Sequence, residues 1–564
     1  MFFGTDERLT EVSLPGELRQ IINDNRAAAF PPPHPDLAEI IAGFTPRNFN
    51  TEEDARIAGI LRHQRSLQDE QPSPLSRSLS RTDHLDIFLS HEKLKEEINF
   101  LFGLLRYGYG GYWYFGGNDI FIPVRDAMLE QLAGMNDPLQ IYWYLNEIIL
   151  PPLQGIIADN HFHIHNTIFR ARRYMLYMNE EFILRRGETE NLFATEIDGV
   201  IHRVLNATPL NAPSANAHST NAHSAGGILP TLTPDGEFAW AFGLITAGFR
   251  QSKEMRVLFE NLKTGETHYR TVILPMITSP WQAYSTLVTH EIDGITVLEN
   301  RSLARYLYLV NDSPDEQLRM FYQSGYMLRG KPVLILDLRD NLGGYRNFAR
   351  EWIRAHTGQV PIDSLLFGNS ALYTLTAWEL RGRSSEELHN FILLKERLNT
   401  LRSVRDAISN VTEFFADGNR SLRKSIPKKI ATLFRRFASD LFSRNLPESR
   451  AVSPQILIPN KNLVIVLIDN NVSSAGEWFV GYLRQLKNVL VVGTNTNGTL
   501  LAGGTVTTNL PHSGIEIRLG RRLTLRPDLS QFEGVGFMPD LWVPPGESLE
   551  RVLRFIERYG LASK

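Results

Sequence analysis

Two runs of consecutive apolar residues constrain this chain most. KPVLILDLR at 331–339 and NLVIVLID at 462–469 show no alternation of apolar and polar side chains. Alternation marks a strand with one wet face; a continuous apolar run of strand length marks one covered on both faces. Each run is followed by a turn and then by apolar residues at helical spacing. That pattern predicts an α/β core built on a largely parallel sheet. In such sheets ligands bind beyond the carboxyl ends of the strands, so the residues after Leu338 and Ile468 deserve the closest reading.

The chain has 564 residues, too many for one ordinary core, and length predicts two to four domains. Residues 1–85 are polar and punctuated by FPPPHPD and PSPLSRSLSRTD, which reads as an arm or linker with at most one short helix. Apolar residues at three- and four-residue spacing in LKEEINFLFGLL begin a helical domain, 86–178. Short strand-like pieces over 179–276 read as a β domain. Inside it, 206–227 repeats NAHS and offers almost nothing to bury, so it is expected to be a loop, with His218 and His223 in a solvated spacer. The core, 277–564, carries a helical insertion at about 384–450 that opens on a capping-box spacing, Ser384 to Glu387. The nine Lys and Arg over 420–450 (Arg423, Lys428, Arg435 and Arg436 among them) read as the solvated face of a helix pair.

Lys and Arg total 59 against 62 Asp and Glu, so no global preference for nucleic acid or an anionic membrane follows. Cysteine is absent, which excludes disulfides, thiolate metal sites and a cysteine nucleophile. No apolar run approaches the roughly 18 residues of a membrane span. The start, MFFGTDERLTEV, lacks a basic region followed by an apolar stretch. Either a cytoplasmic protein or one beginning after a removed signal fits; the extracytoplasmic reading accords with a chain free of cysteine.

Three segments carry chemistry. In NLVIVLIDNNVSSAGEWF, a buried strand, a polar turn and a helix starting near Ser474 put a serine at a helix N-terminus, where free N–H groups favour a developing oxyanion. Serine is also a favoured N-cap, so this signal has a purely structural alternative. In LILDLRDNLGGY, Gly343 and Gly344 can present N–H groups with no side chain in the way, or simply make a tight strand-to-helix turn. In EGVGFMPDLWV, Glu533 precedes a glycine turn and can equally be a surface carboxylate.

The order DLRDNLGG, SSAGE, VVGTNTNG, LPHSG and GVGFMPD resembles the protease core of the C-terminal processing peptidases, the tail-specific protease and tricorn-core superfamily, over roughly 300–550. The resemblance implies a crotonase-like α/β core, an N-terminal helical domain at 91–165 and a PDZ-like module at 180–275. It implies a serine peptidase with Ser474, three residues before Glu477, as nucleophile and Ser473 as runner-up. Gly343, Gly344 and Ala475 would supply the oxyanion hole. Many members use a lysine base; here Thr499 stands near that position, and Lys487 and Lys564 lie in the wrong context. The branch using serine, histidine and glutamate fits better. It selects Glu533 and, through its Asp-x-His motif, His161 in the stretch Asp159-Asn160-His161; the tricorn-type position holds Tyr308 instead. A serine needs a base near neutrality, and the base needs a carboxylate to fix its tautomer.

Alternatives stay open at this point. His161, His163 and His165 alternate as if along one strand face, so they can be a zinc cluster, and His163 or His512 can replace His161 as base. The resemblance implies no cofactor, a protein or peptide substrate, no nucleic acid, and allows a homodimer. The missing lysine motivates a second function, an inactive peptide-binding scaffold of the same fold. A crotonase-type acyl-transfer enzyme is a weaker third.

Overall fold

The computed structural model describes residues 14–29, 85–112, 114–187, 192–210, 227–248, 250–280, 287–303, 314–361, 371–373, 457–524, 526 and 533–562. The expected insertion at 384–450, Tyr308, His218 and His223 lie outside the described residues, as does most of the expected N-terminal arm.

Within that arm, Gly16–Ala29 is a helix held by its buried face. Asn25 donates to Asp540 Oδ1 at 3.0 Å, and Arg26 donates to the carbonyls of Arg484 and Leu486 at 3.1 and 2.9 Å. This part of the arm is therefore packed structure. Next come β1 (Phe88–Leu89), the helices His91–Gly108 and Gly117–Ala133, and β2 (Leu139–Gln140), which pairs with β1. After a helical run over 141–154, the short antiparallel pair β3 (His163–Ile164) and β4 (Thr167–Ile168) follows.

A seven-stranded sheet is built from β5 (Tyr174–Arg186), β6 (Phe193–Ile197), β7 (Val200–Pro209), β8 (Ile228–Leu232), β9 (Phe238–Ala247), β10 (Ser252–Asn261) and β11 (Thr267–Pro275). Its order is β11-β10-β7-β6-β5-β9-β8, with every pair antiparallel. Its core includes Tyr177, Trp240, Phe242 and Phe259. Strand β7 runs on to Pro209, pairing Asn206 with Leu258 and Thr208 with Arg256, so the first residues of the low-complexity stretch are strand and not loop. Residues 211–226 lie outside the described residues.

The six-stranded central sheet comprises β12 (Val288–Ile292), β13 (Ile295–Glu299), β14 (Val333–Asp337), and, after β15 (Ala371–Tyr373), β16 (Leu463–Ile468) and β17 (Val489–Gly493). Then come β18 (Ala502–Asn509), β19 (Glu516–Thr524) and β20 (Leu541–Trp542), of which β20 closes the order β12-β13-β14-β16-β17-β20. All its pairs from β13 to β20 are parallel. The two apolar runs are β14 and β16, both buried along their whole length. Alternate residues explain why. Leu334, Leu336, Val464 and Val466 pack with Phe321, Trp352 and Phe479 of the helices Pro314–Met327, Arg346–Thr357 and Ala475–Leu483. Val333, Ile335, Leu463 and Ile465 face Leu18, Ile22, Val552 and Phe555 of Gly16–Ala29 and Ser548–Arg558. Both faces are covered, so both sets of alternate positions are apolar, apart from the ion-paired Asp337 at the end of β14. Trp352 packs its ring against Phe479 with centroids 5.5 Å apart; truncating such a residue to alanine typically costs ~3–5 kcal/mol.

A further sheet, β15-β19-β3-β4 with β18 on β19, brings distant parts of the chain together. Arg518 of β19 pairs with His163 of β3, which fixes the segment carrying the histidines beside the carboxyl edge of the central sheet.

Candidate active site

The carboxyl ends of β14 and β16 are tied to one another. Asp469 is buried, and its Oδ1 accepts the N–H groups of Asn471 and Val472 at 3.0 and 3.2 Å and that of Asp340 at 3.0 Å. Behind them Asp337, fully buried, is paired with Arg301 at 2.8 Å and with Arg339, so two members of the DLRDN stretch are structural. The turn so formed delivers Ser474 at the start of the helix Ala475–Leu483 with φ +52 and ψ −116. A non-glycine residue there carries strain of ~1–3 kcal/mol and needs its surroundings to hold it. Glu477 does so: its Oε2 accepts the Ser474 N–H at 2.9 Å.

Glu477 is itself fully buried and receives three further donors, Thr496 Oγ1 at 2.7 Å and the N–H groups of Gly498 and Thr499 at 2.8 Å each. Burial outweighs these four bonds and pushes its pKa up to about 7. Thr499 therefore spends its backbone on Glu477 and its hydroxyl on Asn497 at 2.9 Å. Lys487 sits just before β17, next to the amino end of the sheet, whereas Ser474 follows the carboxyl end of β16. Five residues of strand separate the two edges by ~16 Å. Among the described residues no lysine base is within reach.

His161 precedes β3, and its Nε2 lies 3.3 Å from Ser474 Oγ. Two carboxylates pin the two successive backbone amides that lead into the ring. Asp159 Oδ1 accepts the His161 N–H at 2.8 Å, and Glu533 Oε1 accepts the Asn160 N–H at 2.8 Å. The other Glu533 oxygen takes the N–H groups of Leu500 and Leu501 at 2.9 and 2.8 Å, while the other Asp159 oxygen takes the Tyr109 hydroxyl at 2.7 Å. Glu533 bonds to backbone beside the ring and not to the ring: His161 Nδ1 is buried with no partner among the described residues.

Electrostatics at the pair are unusual. Burial, then Arg518, Arg522 and His163, push the His161 pKa down to about 3. The ring is therefore neutral over the neutral range. A neutral imidazole that accepts at Nε2 carries its proton on Nδ1, a tautomer assigned here by the Ser474 contact. The orphaned Nδ1–H costs ~1–3 kcal/mol. Burial raises Asp159 to about 6, and burial followed by the charge of Asp159 lifts Glu533 well above the usual carboxylate range. The two acids lie close enough that ionising one opposes ionising the other.

Around the serine, Gly343 has φ +88, and a Cβ there would stand 2.6 Å from Ser473 O and 2.8 Å from Ala475 N. Glycine is required at this spot for close approach. Its N–H, however, is taken by Asn341 Oδ1 at 2.9 Å. Of the expected oxyanion-hole residues, Gly344 and Ala475 have N–H groups with no hydrogen bond among the described residues.

The other histidines have different employment. Strand β3 covers only His163–Ile164, and His165 has φ +54, so the three do not share one strand face. His163 Nε2 contacts Asn160 O at 3.2 Å, and His512 Nε2 pairs with Glu96 at 2.9 Å. Among the described residues no group of three His, Cys, Asp or Glu side chains could hold a metal ion. Tyr109 and the fourfold cradle of Glu477 carry no signal in the sequence; Asp159 was marked by its two-residue spacing from His161.

Ser474, His161, Gly344, Thr499 and Tyr345 open on a cleft of about 1280 Å³. A serine at 3.3 Å from a neutral imidazole, with two free N–H groups beside it, can add to a carbonyl and stabilise the resulting oxyanion.

Residues 307–543 match the family described as Peptidase family S41. No curated protein matches the sequence. Among solved structures, mature CPAF is similar at 12% identity and TM-score 0.37, the match covering 83% of this chain and 96% of that one. A photosystem II D1 C-terminal processing protease is similar at 11% identity and TM-score 0.31, covering 82% and 96%. The tricorn protease is similar at 12% and 0.32, covering 83% of this chain and 37% of the other. At these TM-scores they are likenesses only.

Proposed function

The domain over residues 307–543 belongs to peptidase family S41, and from that premise we propose that this serine-type peptidase hydrolyses peptide bonds through Ser474, His161 and Glu533 by way of an acyl-enzyme. The observation that carries the reading is the 3.3 Å approach of His161 Nε2 to Ser474 Oγ.

As Oγ attacks the scissile carbonyl carbon, its proton passes to His161 Nε2, and the carbonyl oxygen becomes an oxyanion facing the Gly344 and Ala475 N–H groups. Collapse breaks the C–N bond, and the imidazolium gives its proton to the leaving amine. Water then attacks the acyl-enzyme, His161 takes a proton from it, and the same proton returns to Ser474 as the acid departs. Asp159 and Glu533 position the ring through the two successive backbone amides that precede it. Either carboxylate, once ionised, also stabilises the transient imidazolium. Substrate extends along the cleft, where the edge strand β4 offers main-chain pairing. Among the described residues no helix is long and apolar enough to cross a membrane.

Two observations favour an inactive peptide-binding scaffold: the orphaned Nδ1 and the depressed basicity of His161. A fluorophosphonate probe separates the two. Labelling at Ser474 that Ser474→Ala abolishes, together with peptide hydrolysis, supports the peptidase; absence of both supports the scaffold.

A further inference from the structure

The cleft that opens on Ser474 is lined by His161, His163, Arg170, Arg172, Arg173 and Arg518 among its polar residues, and among the described residues by no aspartate or glutamate. This contrasts with a chain whose overall charge is near zero and slightly negative. Arg173 is employed in the fold, donating to Asn470 O and to Asn471. The other three are not: Arg170 and Arg172 are exposed, Arg518 is half-buried, and none of their guanidinium groups has a carboxylate or hydrogen-bond partner among the described residues. Nearby acids do not offset them within the cleft. Asp159, Glu477 and Glu533 lie buried behind it, each turned to backbone N–H groups, and Glu516 acts on His163 without lining the cleft.

Resting on the peptidase reading of the same site, we propose that the cleft selects peptides carrying acidic side chains beside the scissile bond, with Arg170, Arg172 and Arg518 receiving the carboxylates. Guanidinium groups held without partners in one concave surface pair with carboxylates bidentately and concentrate the field that draws an acidic chain in. Position adds a consequence for turnover. Arg518 pairs in register with His163, two residues from the base, and is one of the charges that opposes protonation of His161. A carboxylate laid on Arg518 removes part of that opposition. An acidic substrate therefore makes His161 a better base at the moment it is bound, while a neutral one leaves it weak. A basic substrate is repelled.

The test uses the full chain carrying Ser474→Ala, so that binding is read without turnover. Three labelled peptides of equal length and amidated C-terminus present two Glu, two Gln or two Lys beside a common central bond. A fourth presents Gln with a free C-terminal carboxylate, and a single-stranded oligonucleotide of matched charge completes the set. The Glu peptide is expected to bind at least about tenfold more tightly than the Gln peptide at low salt, with the gap closing toward 0.5 M salt. Arg518→Gln, and separately the exposed Arg170→Gln, should each cut the Glu/Gln ratio several-fold, and Arg518→Glu should favour the Lys peptide. With the wild-type enzyme the same ratio is read as kcat/KM. Equal binding of Glu and Gln peptides overturns the proposal. A free C-terminal carboxylate that rescues the Gln peptide fully, or an oligonucleotide bound as tightly as the Glu peptide, overturns it as well. Failure of the peptidase reading looks different: no probe labelling and no turnover of any peptide, with the binding preference still measurable.

Discussion

His161 Nε2 and Ser474 Oγ meet at 3.3 Å although 313 residues of chain separate them. Nothing local arranges this contact. It depends on β19 pairing with β3 on one side and on the β16 turn on the other. If the pair acts as a unit, Ser474→Ala and His161→Ala should each lower kcat by about 10³-fold or more, and the double variant should lose little beyond either. His163→Ala should keep most of the activity. Independent, additive losses in the double variant would show that the two side chains do not act together.

Asp159 and Glu533 make a second, separable prediction. Glu533 accepts three N–H groups with two oxygens, whereas a glutamine offers one acceptor and turns an NH₂ toward donors. Glu533→Gln should therefore destabilise by about 1–3 kcal/mol and also lower kcat, because the Asn160 N–H loses its anchor. Asp159→Asn should act likewise through the His161 N–H. Tyr109→Phe removes one bond from Asp159 and should cost less on both counts. A melting curve and kcat measured on the same preparations decide the point; a stability loss with kcat intact would make Glu533 structural only.

The pH profile should depart from that of an ordinary histidine. His161, pushed to about 3, is already neutral well below pH 6, so it sets no acid limb near 6–7. The sequence alone asks only for a base near neutrality, because burial and the flanking arginines are tertiary facts. A limb near 6–7, where present, belongs to Asp159 or Glu477, raised to about 6 and 7. Asp159→Asn or Glu477→Gln should then shift or remove it in kcat/KM. A limb at 6–7 that survives both substitutions and Glu533→Gln as well belongs to His161 and contradicts the depressed value.

Stability should respond to pH through Glu477 in a definite direction. Its folded pKa of about 7 exceeds the ordinary glutamate value of 4.5, so the folded state holds the proton that the unfolded state releases. The associated stability is fully present below about pH 4.5 and is lost as pH rises to about 7, amounting to ~3 kcal/mol at most. His161 works the other way, its contribution being lost as pH falls from 6.5 toward 3. The clean measurement is the wild-type change in melting temperature between pH 5 and 8 minus that of Glu477→Gln. A positive slope with pH in that difference would contradict the raised pKa.

What the sequence disclosed follows from what kind of information each feature needs. The strands at 333–337 and 463–468 were legible because burial on both faces writes itself as an unbroken apolar run. Ser474 was legible because a strand, a turn and a helix start are contiguous. The bond between Tyr109 and Asp159 links residues 50 apart, and the contact of Arg26 with Arg484 O spans 458, so neither leaves any spacing to read. The apparent alternation of His161, His163 and His165 misled for the same reason: only pairing with β19 shows that the strand is two residues long. The arginine lining of the cleft assembles from 170–173 and 518 and is invisible until the strands pair.

Gly343 provides the sharpest test of the oxyanion geometry, because its contribution is space and not a hydrogen bond to substrate. Its N–H is committed to Asn341 Oδ1, and a Cβ would stand 2.6 Å from Ser473 O, 2.8 Å from Ala475 N and 2.9 Å from Ser474 Cβ. All three neighbours belong to the nucleophile turn, two of them being backbone atoms that cannot rotate away. Gly343→Ala must therefore push the 342–344 loop and the Ser474 turn apart, and φ +88 adds backbone strain. The displacement misaligns the Gly344 and Ala475 N–H groups together, so kcat should fall by about 10²–10³-fold, as for loss of an oxyanion donor, with KM changing far less. Asn341→Ala frees the Gly343 N–H without adding bulk and should cost stability first. Wild-type kcat in Gly343→Ala would mean that the two N–H groups do not receive the oxyanion.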